Sequence, residues 1–238
     1  MALFDLPAPL FALVDTGLAT LLPAVARLAV WAAVAGVGTL FLYKWLSPQR
    51  RIGDAKRAAR EARRALNGFD GEFSDAGPLI RDQFVTAFRH LGLVVIPTLI
   101  SILPLLALLT WIEGHYAHRL PPAGQPPALE AAPADYQAHW SVGGDTPVIQ
   151  VRQGQRQVAE VPVTAPIPVV EQRHWWNWLV SNPLGYLPED SGVQRVTLAL
   201  PQPEYLPFGP GWLRHWLAVF FPIMLIVSLL TYRWAKIQ

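Results

Sequence analysis

"LLPAVARLAVWAAVAGVGTLFLYKWL" (residues 21–46) runs straight into "SPQRRIGDAKRAAREARRALNG" (residues 47–68), and the junction between them decides the fold. The first stretch is apolar for longer than the roughly 20 residues that cross a hydrocarbon core of about 30 Å. The second holds seven Lys or Arg among the fifteen residues from Arg50 to Arg64: Arg50, Arg51, Lys56, Arg57, Arg60, Arg63 and Arg64. A charge cluster of this density stays out of lipid, and positive charge beside a span is retained on the cytoplasmic side.

Working outward, two more stretches are long enough to span: "LGLVVIPTLISILPLLALLTWI" (91–112) and "WLAVFFPIMLIVSLLTYRW" (216–234). Pro97 and Pro104 predict kinks in the former, which neighbouring helices can accommodate. Only 15% of the chain is charged and 52% is apolar, against about 25% charged in a soluble domain. From Lys44 to His90 there are ten Lys or Arg and six Asp or Glu; from Glu113 to Trp212 there are five Arg, no Lys and nine Asp or Glu. Residues 47–90 and the C-terminus, with Arg233 and Lys236, are therefore expected in the cytoplasm, and the N-terminus and residues 113–212 outside. "MALFDLPAPLF" lacks a positive n-region, so no cleavable signal peptide is expected. Without cysteine, no disulfide framework supports the outer part.

The expected organisation is an α-helical polytopic membrane protein with three transmembrane helices, a cytosolic helical hairpin and a small β-rich extracytoplasmic domain. Its segments are an outer interfacial stretch (1–20), a span (21–46), the antiparallel hairpin (47–90), a span (91–112), a Pro/Ala-rich linker (113–135), the β-rich domain (136–212), a span (213–234) and a cytosolic tail (235–238). Residues 2–20 read either as an amphipathic segment in the interface or as an extension of the first span. After Pro48, Ile52, Ala55, Ala59, Ala62 and Leu66 form a short heptad seam. The cations fall off that seam, with Asp54 and Glu61 placed for pairs such as Arg57 with Glu61. Asn67-Gly68 stops the helix. Ser74 or Asp75 can cap the next one, with Pro78 in its first turn. Leu79, Ile80, Phe84, Phe88 and Leu91 are expected on one side of that second helix, with Phe84 and Phe88 packed close on the alanines of the first. "VIQVRQGQRQVAEVPV" (148–163) predicts a hairpin around Gln153-Gly154, and "VQRVTLAL" (193–200) a further strand. Pro162, Pro166 and Pro168 push their segment to a sheet edge.

Enzyme signatures are missing from this pattern, and the expectation is a non-enzyme with no cofactor and no metal. His115 and His118 have helical metal-ligand spacing without a third ligand nearby. Glu113, Glu189 and Asp190 lack a matched nucleophile. The "GVG" at 36–38 lies within a span, where small residues serve packing. Arg27 is the costly residue: a charge in a span either lines a functional cavity or snorkels to the headgroups. Thr39, Thr98, Ser101 and Ser228 are the other polar candidates, each able to bond its own helix. Trp175, Trp176 and Trp178 read as an interfacial anchor or domain core, or as an apolar partner surface.

The order "YKWLSPQRRIGDAKRAAREARRAL" (43–66), then "IRDQFVTAFRHLGLVVIPTLISILPLLALLTWI" (80–112), then a third span resembles the YidC/Oxa/Alb insertase superfamily. The likeness is greatest to the three-pass archaeal YidC-like proteins and the insertase subunit of the endoplasmic reticulum membrane complex. It covers residues 20–112 and, more weakly, the last span. The resemblance implies a membrane-protein insertase or chaperone, in a bacterial inner membrane, with a polar groove open to the cytosol. Arg27, Thr39, Thr98, Ser101 and Ser228 would line that groove, and the basic hairpin would receive nascent chains or the ribosome. Membrane lipids, nascent membrane proteins or subunits of a larger membrane complex are the expected partners, and DNA is not. Two other functions stay open: a non-catalytic accessory or scaffold subunit, and a lipid- or ligand-binding protein working through the outer domain.

Overall fold

The computed structural model describes residues 2–72, 76–122, 124–142, 144 and 146–236. The chain divides into two compact units, one of Met1–Ala29 with Leu106–Phe221 and one of Val30–Leu105 with Pro222–Gln238. Three helices are long and apolar enough to cross a membrane: α2 (Ala24–Leu46), α4 (Gly77–Tyr116) and α6 (Trp216–Ala235), the last preceded by the four-residue helix α5 (Gly211–Arg214). A small β region accompanies them.

In the first unit a short 3-10 turn (Leu3–Asp5) leads into α1 (Ala8–Ala19). A turn through Thr20–Pro23 then separates α1 from α2. Residues 2–20 are thus a helix of their own rather than a straight extension of the first span.

Two three-stranded antiparallel sheets follow, in the orders β1-β6-β5 and β2-β3-β4. The strands are β1 (Leu129–Ala132), β2 (Gln137–Ser141), β3 (Val148–Gln153), β4 (Arg156–Pro162), β5 (Val169–Glu171) and β6 (Arg195–Leu198). The expected hairpin is present, closed by the pair Gln153↔Arg156. Its two-residue turn is Gly154-Gln155, and Gly154 at φ 60 supplies the positive φ such a turn needs. Register sets Ile149 opposite Val161 and Val151 opposite Ala159, and all four are buried. With Val196 and Leu198 of β6 they form the core, each large aliphatic stabilising by about 1.5–3 kcal/mol when buried. Pro162 lies on β4 and Pro168 just before β5, both edge strands. One correction concerns the stretch read as a linker, 113–135. It contains β1, paired with β6 from Leu129↔Leu198 to Ala132↔Arg195. Leu129 and Ala131 alternate onto the core, a pattern four residues long that the surrounding prolines mask.

In the second unit α3 (Gln49–Asn67) begins after Pro48 and ends at Gly68. Its seam faces inward: Ile52 and Ala55 are buried, and Ala59, Ala62 and Leu66 half-buried. Arg57 pairs with Asp54, three residues back, rather than with Glu61. The proposed caps Ser74 and Asp75 lie outside the described residues, while Pro78 does sit in the first turn of α4.

That helix runs for 40 residues through Pro97 and Pro104, about 60 Å at 1.5 Å per residue. Phe84 and Phe88 do not pack on the alanines of α3. They stack on each other and are 60% and 66% exposed. Leu91 is exposed as well, and the same outward stripe continues through Val95, Leu99 and Leu103. Phe84 to Leu103 lie on one continuous helical stretch of the second unit, so the outward face of its apolar part extends back to Phe84. The inner face there carries Ile80, Gln83, Thr86 and His90 instead.

Between α2 and α6, a Cβ on Gly36 would come within 2.9 Å of Ser228 Oγ and 3.0 Å of the Met224 carbonyl oxygen. The glycine is what allows that approach, as the small-residue reading expects. Lys44 Nζ donates to the Ala235 carbonyl at 2.7 Å, holding the end of α6.

Candidate functional site

Arg27 lies in the first turn of α2 and Asp15 near the end of α1. The turn between the two helices brings these residues, twelve apart in sequence, into an ion pair. Their side chains are only 20% and 13% exposed, so the pair is partly desolvated and stronger than a surface pair. Tyr116, at the end of α4, donates its hydroxyl to the other oxygen of the Asp15 carboxylate. The Arg27 guanidinium carbon sits 5.5 Å from the centroid of the Tyr116 ring, a favourable cation–π distance. Tyr205 completes the cluster by donating its hydroxyl to the Tyr116 carbonyl at 2.6 Å. Burial pushes the Tyr205 phenol up to about 12, so it remains a donor at any ordinary pH.

Arg27 thus has its charge matched within the first unit. Its Nη1 is committed to Asp15, while Nε is buried without a hydrogen-bond partner among the described residues. Sequence reading singled out Arg27 and overlooked Asp15, Tyr116 and Tyr205. A signal was available for Asp15: it is the one charge in α1 and lies close to the one charge in the first half of α2. Two isolated opposite charges in apolar surroundings lower each other's cost.

The other proposed groove residues belong to the second unit. Ser101 is buried and donates to the Thr98 carbonyl at 2.9 Å. Thr98 donates to the Val94 carbonyl at 2.7 Å. Both hydroxyls are satisfied on α4 itself, the arrangement usual for apolar helices. Thr39 and Ser228 are half-buried, Ser228 against Gly36. Ser47 and Thr231 are further buried hydroxyl residues of this unit that sequence reading missed. Inward faces of α2, α4 and α6 therefore each carry hydroxyls. On α3, Arg50, Arg51, Arg57, Arg60, Arg63 and Arg64 are exposed and Lys56 is half-buried, so the cations lie off the buried seam.

Trp175, Trp176 and Trp178 lie on a 3-10 turn (Trp175–Trp178) of the first unit. The buried Asn177 holds it, accepting from the His174 N–H at 2.6 Å and donating to the Val180 carbonyl at 3.2 Å. Trp175 is 82% and Trp178 57% exposed, so these rings are surface features and not domain core. Trp176 is partly covered, stacking with His174 at 5.7 Å.

His115 and His118 do not converge on a metal position. His115 Nδ1 bonds the Trp111 carbonyl at 2.8 Å and its ring stacks on Trp111. Burial pulls the His118 pKa down. Among the described residues no group of three His, Cys, Asp or Glu side chains is placed to hold a metal ion. Glu113 accepts from Trp216 Nε1 at 3.1 Å, fastening α4 to α6 within the first unit. Glu189 and Asp190 are exposed on a separate 3-10 turn (Glu189–Ser191).

No family model, curated protein or solved structure matches this chain.

Proposed function

We propose that this chain is a membrane-embedded insertase or chaperone of the YidC/Oxa/Alb kind, acting on other membrane proteins from the cytoplasmic side of a bacterial inner membrane. The observation that carries this reading is the composition of the second unit. Hydroxyls on the inward faces of α2, α4 and α6 (Thr39, Ser101, Ser228 and Thr231) accompany a basic helix whose arginines are exposed. A polar seam between apolar helices lowers the desolvation cost of passing a short hydrophilic segment. The cations of α3 attract acidic segments, anionic lipid or ribosomal RNA. Burial of the substrate's own apolar span then drives the transfer without nucleotide. Arg27 takes a structural role here, since Asp15 already balances its charge.

The test is insertion of a single-span reporter with a short polar tail into liposomes containing the purified chain. Replacing Arg57, Arg60, Arg63 and Arg64 with Glu should lower insertion severalfold, and Ser101→Leu with Ser228→Leu should do the same. Insertion no better than in protein-free liposomes ends the proposal.

The internal pairing of Arg27 favours a second reading, an accessory subunit whose spans serve to hold it in a larger membrane complex. Stoichiometric partners surviving purification in mild detergent, together with an inactive liposome assay, would support that alternative.

A further inference from the structure

Helix α1 is built the wrong way round for a helix in water. Its one charged residue, Asp15, turns inward to Arg27 and Tyr116. Phe11 also turns inward, meeting Trp111 edge-on with ring centroids 5.8 Å apart. The outward face carries Leu10 and Leu13, 60% and 72% exposed, continued by Leu6 before the helix and Leu21 after it, and the exposed Thr16 donates its hydroxyl back to the Ala12 carbonyl at 2.8 Å. A water-facing helix places its polar residues on that side.

A second apolar feature is fastened to the same segment. The Phe4 N–H donates to the Leu179 carbonyl at 2.9 Å, and the Ser181 N–H and hydroxyl both donate to the Asp5 carboxylate. The junction directly follows the turn that exposes Trp175 and Trp178.

What covers these surfaces follows from where they are attached. Only Thr20–Pro23 separate α1 from α2. The ends of all three long apolar helices, Ala24–Ala29, Leu106–Tyr116 and Trp216–Phe221, belong to the same unit as α1 and the tryptophan turn. Both features therefore belong to the unit that holds one end of each of these helices, and a bilayer crossed by them would lie against that unit. With 12 residues, α1 is about 18 Å long, too short to cross a core of about 30 Å. Tryptophan favours the headgroup region, where an apolar ring with one polar N–H is best accommodated. We propose that α1 and the Trp175–Trp178 turn form one contact seated in the leaflet beside the β-bearing unit, lying in the interface without spanning. The contact rests on membrane crossing by the three long helices and is independent of the insertion role.

The chain has no cysteine, so single cysteines can be introduced and spin-labelled in the full-length protein. Leu10→Cys, Leu13→Cys and Trp175→Cys would be read in vesicles of phosphatidylcholine with a minority of phosphatidylglycerol. Leu99→Cys on the outward stripe of α4 serves as the lipid standard, and Gln155→Cys at the turn between β3 and β4 as the water standard. The expected result is that the Leu10 and Leu13 labels collide more with oxygen than with a water-soluble nickel chelate, as the Leu99 label does, and that the Trp175 label, at headgroup depth, has nickel access well below that of the Gln155 label. Nickel access matching the Gln155 label at α1 or at Trp175 overturns the contact. Protection from both reagents also overturns it, because a protein surface and not lipid then covers this face.

Discussion

Loss of the Asp15–Arg27 pair is the perturbation with the most to say about this fold. Exposed ion pairs contribute about 0–1 kcal/mol, whereas breaking a fully buried pair costs about 3–5 kcal/mol because one charge is left uncompensated. Side chains 20% and 13% exposed lie between those limits. Discounting for residual screening, Arg27→Ala should destabilise by about 2 kcal/mol. For a chain of this length that lowers Tm by roughly 4–8 °C. Asp15→Ala should cost a similar amount, since it strands Arg27 and also removes the acceptor for the Tyr116 hydroxyl. The double variant should cost less than the sum, with a coupling of about 1–2 kcal/mol, because it leaves neither charge unmatched. Thermal unfolding of the four proteins in detergent micelles, followed by far-ultraviolet circular dichroism, supplies the cycle. Additive losses, or single losses below about 0.5 kcal/mol, would show that the pair does not hold α1 to α2 and would refute the reasoning. Insertion assays on the same variants add a second discrimination. If Arg27 serves the fold, Asp15→Ala should lower insertion about as much as Arg27→Ala does; if Arg27 meets the substrate, Asp15→Ala should lower it clearly less.

Gly36→Ala should destabilise by about 1–3 kcal/mol, as expected for overpacking, because its Cβ meets Ser228 Oγ and the immovable Met224 carbonyl. Gly38→Ala, which meets nothing within 4 Å, should be neutral or slightly stabilising in the same melt. His118 gives a pH dependence. Burial and His215 hold its pKa below the ordinary 6.5 while Glu113 opposes them, so the unfolded chain takes up a proton first. Stability should therefore fall as pH drops from about 6.5 toward the folded pKa and be unaffected by this residue above that range. His118→Gln should flatten the slope across that window; an unchanged slope would assign the dependence to other groups.

Legibility in the sequence differed by element. The three long apolar helices could be read because hydrophobic length is a property of the chain alone. The seam of α3 was equally visible: Ile52 and Ala55 recur at helical spacing, and the cations fall between seam positions. The β3–β4 hairpin announced itself by alternation and by Gly154. Strand β1 did not, since Leu129 and Ala131 give too short an alternation beside so many prolines. Phe84 and Phe88 misled because an apolar helical face specifies burial without naming what covers it. Hydroxyls such as Ser101 and Ser228 could be marked as polar, but which way they face depends on the rotation of each helix.

What the chain by itself determined, then, is length, period and charge: which segments can cross a bilayer, where α3 starts and stops, and where two opposite charges interrupt apolar runs. Only the tertiary structure decided that Arg27 meets Asp15 and Tyr116, that α1 turns its leucines outward, and that β1 completes a sheet with a strand over sixty residues away. The physical reason is that local propensity and hydrophobic period act over a few residues. The turn at Thr20–Pro23 and the pairing of distant strands set which faces meet, and a charge takes its role from the partner it meets there.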